Sequence, residues 1–230
     1  MFLQQNGGKT RRFIPRLLGC RLFDGLKAEE LEKLLHCFHA RPKKFEKDAY
    51  IFMENDEISA MGIVISGAVH LVRDDFWGNR TIIARIATDE IFAESFACGK
   101  AGRLPLSAIA VEKTEALFIH AQKISAPCAS ACPFHTRILN NMIQELAGKN
   151  ITLINKIQHI TQRSTREKLI SYLSAEARKS GAPSFDIPFN REELAEFLSV
   201  DRSAMSSELG RMKTDGLLTF RKNHFTLLKK

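Results

Sequence analysis

No apolar run in the chain approaches the ~20 residues a helix needs to cross a bilayer, so no membrane span is expected. The opening stretch, MFLQQNGGKTRRF, lacks the apolar centre of a secretory leader. The five cysteines are an odd number, and no two are spaced as CxxC. That argues against a secreted disulfide framework. No Gly-rich phosphate loop is present, and no nucleophile–base–orienter set can be read, which leaves little to support an enzyme. These absences together point to a non-enzymatic protein of the cytoplasm.

The 230 residues have room for one large or two modest domains, and 44% hydrophobic with 26% charged residues is ordinary for a globular chain. The net charge is +8, and its location says more than its total. From Arg202 to Lys230 there are seven basic residues against two acidic ones.

The pattern changes along the chain. Leu31, Leu34, Leu35 and Phe38 predict a short amphipathic helix within 25–38. From Lys43 to about His120, short β-rich runs are separated by turn residues such as Asn55-Asp56, Ser66-Gly67 and Trp77-Gly78-Asn79. This predicts an antiparallel, jelly-roll-like β-roll. Residues 134–160 then read as one long helix. Along it Leu139, Ile143, Leu146, Asn150, Leu153, Ile157 and Ile160 alternate in steps of four and three. Leu at d, Ile at a and one Asn at a favour a parallel two-stranded coiled coil, in which Asn150 meets its own mate. The alternative is a helix that packs this stripe on its own domain.

Further on, Ser164 and Glu167 have capping-box spacing, and Gly181 closes a helix. Asn190 and Glu193 open another, and Asp201 caps a third after a tight turn. In "DRSAMSSELGRMKTDGLL" the outer face is short and polar, while Met205, Leu209 and Met212 form an inward stripe. A basic turn, Arg221-Lys222-Asn223-His224, follows. Helix, tight turn, helix and basic hairpin predict a winged helix-turn-helix. Arg202, Ser203, Ser206 and Ser207 suit base edges. Arg211, Lys213, Arg221 and Lys222 suit flanking phosphates.

"NREELAEFLSVDRSAMSSELGRMKTDGLL" resembles the DNA-binding region of the Crp/Fnr family of bacterial transcription regulators. "FEKDAYIFMENDEISAMGIVISGAVHLV" resembles that family's cyclic-nucleotide-binding-type roll, with Asp48 and Asn55 at two turn positions where the family has glycine. The resemblance covers roughly residues 17–228. It implies that Arg191 holds a phosphate, that RNA polymerase is a partner, and that the β-roll is a sensor. Many members carry Glu at the position of Ser203 and Arg at that of Ser207, so no operator sequence carries over.

In cyclic-AMP-binding members a Gly-Glu turn and a later Arg hold the ribose and phosphate. Here the corresponding cradle is Phe92, Ala93, Glu94 and Ser95, then Leu106 and Ser107. Ala93 replaces the Gly, and Leu106 stands where the phosphate-binding Arg belongs. A phosphate facing Leu is heavily penalised, and Arg103, the nearest alternative, lies across Pro105. Cyclic AMP is therefore not the expected effector, and no cofactor is assigned beyond an unknown small molecule in the roll. Cys98, Cys128 and Cys132, with His135 three residues beyond, form the alternative set for redox or metal sensing, or for cysteine-dependent chemistry.

The expected fold is α+β in three parts: a β-roll sensor over 1–133, a dimerisation helix over 134–162 and a winged helix-turn-helix domain over 163–230. The expected function is homodimeric, sequence-specific regulation of transcription on double-stranded DNA with a dyad-symmetric site.

Overall fold

The computed structural model describes residues 10–99, 103–125 and 134–228. The chain divides into two compact units, one of residues to Gly78 plus Ile83–Lys149, the other of Asn79–Ile82 plus Asn150–Lys230.

The first unit opens with helices α1 (Ile14–Leu17) and α2 (Ala28–Cys37). Gly25 has φ 74° and Lys27 is extended, so α2 starts only at Ala28. Leu31, Leu34 and Leu35 are buried, as their spacing requires.

Eight strands follow: β1 (Arg41–Phe45), β2 (Tyr50–Phe52), β3 (Ala60–Ser66), β4 (Val69–Asp74), β5 (Arg80–Ile86), β6 (Ile91–Phe92), β7 (Ser107–Ala110) and β8 (Thr114–His120). Two short helices, α3 (Glu94–Cys98) and α4 (Ala121–Ser125), interrupt and end the run. The strands form two four-stranded sheets, ordered β1-β8-β3-β6 and β2-β7-β4-β5. This is the expected antiparallel roll. Asp48 and Asn55 adopt φ of 64° and 71°, the left-handed conformation that their short polar side chains tolerate.

Strand β3 is apolar on both sides because both of its faces are covered. Met61, Ile63 and Ile65 pack with Leu31 and Leu34, while Val64 packs with Phe92 and Ala116 inside the roll. Gly62 pairs with Phe92, and a Cβ at Gly62 would fall 2.2 Å from that ring. Phe52, Phe92 and Phe118 meet within the roll, with ring centroids 5.7–6.1 Å apart.

Helix α5 (Phe134–Ile160) is continuous, and its Ile138 and Met142 join the core of the first unit. In the second unit α6 (Thr165–Ser180) begins at a capping box of Ser164 with Glu167 and ends at Gly181, φ 69°. Strand β9 (Ser184–Asp186) leads to α7 (Arg191–Leu198), α8 (Arg202–Thr214) and the hairpin β10 (Leu218–Arg221) and β11 (His224–Leu227). The three strands pair as β10-β11-β9. The fold class is α+β. No helix among the described residues is long and apolar enough to cross a membrane.

Candidate nucleic-acid interface and effector cradle

Helices α7 and α8 are joined by a turn in which Ser199 takes φ 52° and Val200 N–H donates to the Ala195 carbonyl at 3.0 Å. Asn190 caps α7 by accepting from the backbone N–H groups of Glu192 and Glu193, at 2.9 and 3.0 Å. Asp201 caps α8, accepting from Ala204 N–H at 2.7 Å and from Ser203 Oγ at 2.5 Å. These two hydrogen bonds, Ser203's first, hold the Asp201 carboxyl below its ordinary range. The cap is therefore an anion, as a helix N-terminus favours.

Met205, Leu209 and Met212 are buried and pin α8 to its unit. Arg202, Ser203, Ser206 and Ser207 are all exposed. Ser206 Oγ donates to the Arg202 carbonyl at 2.9 Å, so Ser203 and Ser206 both use their protons within the protein. What they present outward is acceptor capacity, which suits a base-edge amino group.

The hairpin brings Arg221 and Lys222 to an exposed tip, with Lys222 at φ 51°. His224 braces it, with Nδ1 3.0 Å from Asp186 Oδ1 and Nε2 2.9 Å from Ser184 Oγ. Arg191 differs from the other basic residues. Its guanidinium lies 4.7 and 4.8 Å from the rings of Phe220 and Phe225, and both Nη atoms are buried without a hydrogen-bond partner. Burial lowers its pKa. The arginine that the family pattern assigns to phosphate thus lies over two neighbouring aromatic rings of the hairpin, with unmet donors.

In the first unit, Ala93 takes φ 63° and starts α3, the conformation for which the family uses glycine. Glu94 is buried, and Lys149 Nζ from α5 stands 2.9 Å from its Oε2. Ser95 is exposed and donates to Glu94 Oε1 at 3.3 Å. Ser107 Oγ accepts from Glu54 N–H at 2.9 Å, and Leu106 is half-buried. Arg103 is turned away, bonded to the Asn55 carbonyl at 3.3 Å and paired with Glu57 at 3.7 Å. Among the described residues named here, the only cation at Glu94 is the protein's own lysine.

Residues 42–130 match the family described as cyclic nucleotide-binding domain, and residues 167–230 match the Crp-like helix-turn-helix domain. The two occur in the order and on the units that the geometry places them. The chain belongs to the Crp/Fnr family of transcription regulators. The family is one of DNA-binding, non-enzymatic regulators. Among curated relatives, this Crp/Fnr chain is 26% identical to the cyclic AMP receptor protein of Thermus thermophilus, over 87% of its own length and 88% of the relative's. Its fold is similar to that of CLP of Xanthomonas campestris, a c-di-GMP responsive global regulator, with TM-score 0.72, 17% identity and coverage of 89% and 100%. FixK2 of Bradyrhizobium japonicum is similar with TM-score 0.65, 18% identity and coverage of 83% and 93%.

Crp-family regulators bind DNA as dimers, and the heptad stripe of this member is largely exposed. Leu139, Ile143, Leu146, Leu153 and Ile157 are all exposed, Asn150 among them, and Ile160 is half-buried. In the first unit the inward face of α5 is Ile138 and Met142.

Cys128 and Cys132 lie outside the described residues. Cys98 is exposed, and burial of its thiol, then the nearby Glu94 carboxylate, pushes its pKa up. The shift does not favour the reactive thiolate at Cys98. Among the described residues no group of three or more His, Cys, Asp and Glu side chains is placed to hold a metal ion.

Sequence reasoning missed Lys149, Lys156, His159 and Arg166. The first three fall on a stripe one residue ahead of the heptad positions, a signal that was available in the spacing. Arg166 gave none.

Proposed function

We propose that this Crp/Fnr regulator acts as a homodimer joined along α5, with α8 of each protomer read into successive major grooves of a dyad-symmetric DNA site. The observation that carries this reading is the face of α8. Arg202, Ser203, Ser206 and Ser207 are all exposed at its N-terminal end, and Ser203 and Ser207 lie opposite the buried Met205–Leu209–Met212 stripe. Helices in this arrangement enter the groove by their N-terminal residues. Arg211, Arg221 and Lys222 hold flanking phosphates, and the family pattern assigns another to Arg191, whose buried Nη atoms have no partner within the protein. The domain limits that fit are a sensor to residue 133, a dimerisation helix over 134–162 and a DNA-binding domain from 163, with RNA polymerase as the partner on the promoter.

The effector is not an ordinary cyclic nucleotide, despite what the name of the Thermus relative says of that protein. Leu106 offers a phosphate no charge, and Glu94 already has a cation. The redox or metal reading keeps Cys98, Cys128 and Cys132 as its set, with burial raising the pKa of the Cys98 thiol.

Selection of sites from random duplex DNA by the full-length protein tests the function. The expected product is a dyad with half-site centres about one helical turn, ~34 Å, apart. Failure to enrich any sequence, or an enriched site without a dyad, would overturn the reading.

A further inference from the structure

Arg166 sits in the first turn of α6 and reaches two points on α8. Its Nε donates to Glu208 Oε1 at 2.5 Å, and its Nη2 donates to Asp215 Oδ2 at 2.7 Å. Glu208 is at mid-helix with its side chain 14% exposed, and Asp215 is the C-terminal cap residue. Arg211 Nη1 adds a longer bond to Glu208 Oε2, 3.4 Å. One guanidinium therefore ties the middle and the end of the same helix to its neighbour.

With 3.6 residues per turn, Met205, Leu209 and Met212 define the inward face of α8, and Ser203 and Ser207 lie nearly opposite. Glu208 and Asp215 fall together on one flank. The three core side chains seat the helix by close packing, and a small roll about its axis is opposed further by directional bonds on the flank. Beside this flank lies an open cleft of about 700 Å³, walled by Thr165 and Arg166 of α6 and by Ala204, Ser207 and Glu208 of α8. Charge-assisted hydrogen bonds from a planar fork do have direction. A roll of about 20° would carry a side-chain tip ~5 Å from the axis through nearly ~2 Å, more than a hydrogen bond to a base edge tolerates.

We infer that Arg166 is a positioning residue for DNA recognition: it fixes the roll of α8, and so selects which base edges Arg202, Ser203 and Ser207 meet, without itself touching DNA. This rests on the DNA-reading role proposed for α8. It predicts that Arg166 governs discrimination between sequences more than affinity for DNA as such.

The test uses the full-length protein, a duplex selected from random DNA by the wild type, and a scrambled duplex of equal length. Arg166→Met should lower the ratio of selected to scrambled affinity roughly tenfold, a change of about 1.4 kcal/mol, with scrambled-duplex affinity nearly unchanged. Arg166→Lys keeps the charge but cannot span both carboxylates, so it should lose most of the same ratio. Should Arg166→Met fail to fold by circular dichroism, Arg166→Lys and Asp215→Asn carry the measurement alone. An unchanged ratio in folded variants overturns the inference. A parallel fall on both duplexes, with a shallower salt slope in Arg166→Met only, overturns it too, since it would make Arg166 a phosphate contact. If the wild type selects no site, the DNA-reading role fails rather than the positioning role.

Discussion

Lys149 Nζ lies 2.9 Å from Glu94 Oε2 and donates to the Ile91 carbonyl at 2.6 Å, so α5 and the β6–α3 turn share one buried charge pair. A carboxylate as enclosed as Glu94, 4% exposed, is costly without a partner. Here a helix residue, Lys149, meets it. The cradle is therefore joined to α5 by the protein itself.

Breaking one side of that pair should cost more than removing both. Lys149→Met strands the Glu94 charge and should destabilise the first unit by about 3 kcal/mol. Adding Glu94→Gln to Lys149→Met should restore much of the loss. Urea denaturation of wild type, both single variants and the double variant measures the coupling. Additive losses would show that the pair contributes little.

Cyclic AMP and cyclic GMP should leave the melting temperature and DNA affinity unchanged at about 1 mM. A ligand with a Kd near 1 μM would add about 4 kcal/mol to the folded state at that concentration, a shift that thermal melts would register. Such a shift would place a nucleotide phosphate against Leu106 after all.

The larger elements were legible in the sequence because their signals are local. The capping pairs Ser164–Glu167 and Asn190–Glu193, the Asp201 cap and the Met205–Leu209–Met212 stripe each lie within one or two helical turns. The fate of Arg103 and Glu94 was not legible. Arg103 is bound by Glu57 and Asn55, and Glu94 by Lys149, contacts set by chain pairing across about fifty residues. Arg191 shows a third limit: its position follows the family pattern, but its burial against Phe220 and Phe225 depends on the hairpin folding back.

Lys156 and His159 are buried on α5, and their titration gives the second unit a pH dependence. Burial pushes Lys156 down from 10.5 to about 8, although its Nζ stands 4.5 Å from the Phe197 ring centroid. Burial, then Arg178, also lowers His159. A base whose folded pKa lies below its unfolded one binds fewer protons when folded, so stability rises with pH between the two values. Stability should therefore climb from pH 8 to 10.5 through Lys156, and fall as the pH drops below the ordinary His value of 6.5. Lys156→Met should remove the alkaline climb and add about 1–3 kcal/mol near neutrality. Denaturation curves below and above pH 8 test this; an unaltered climb in the variant would exclude Lys156 as its source.

Asn150 sits exposed in an otherwise apolar heptad stripe. In a parallel pair it meets its own mate and fixes the register at some cost in stability. Asn150→Ile should raise the melting temperature and admit misaligned or higher-order pairing. Sedimentation equilibrium should give a dimer for the wild type at micromolar concentration. A wild-type monomer there would rule out pairing through α5.

The exposed arginines of α8 and the hairpin should separate into two classes. Arg202 stands at the first position of α8, beside the Asp201 cap, where a groove-reading helix addresses bases. Arg202→Ala should cost ~1–3 kcal/mol on the selected site and relax the preference at one base pair in each half-site. Arg221 is at the end of β10, on the basic turn, and the proposed role for it is charge alone. Arg221→Ala should weaken selected and scrambled duplexes alike and reduce the slope of log affinity against log salt by ~1. The two substitutions remove the same formal charge, so any difference between them reports geometry. Salt titrations on both duplexes, with repeat selection by each variant, separate the outcomes. Identical losses, with the same base preferences retained, would mean that the N-terminal face of α8 lies on the phosphate backbone and that the sequence is read elsewhere.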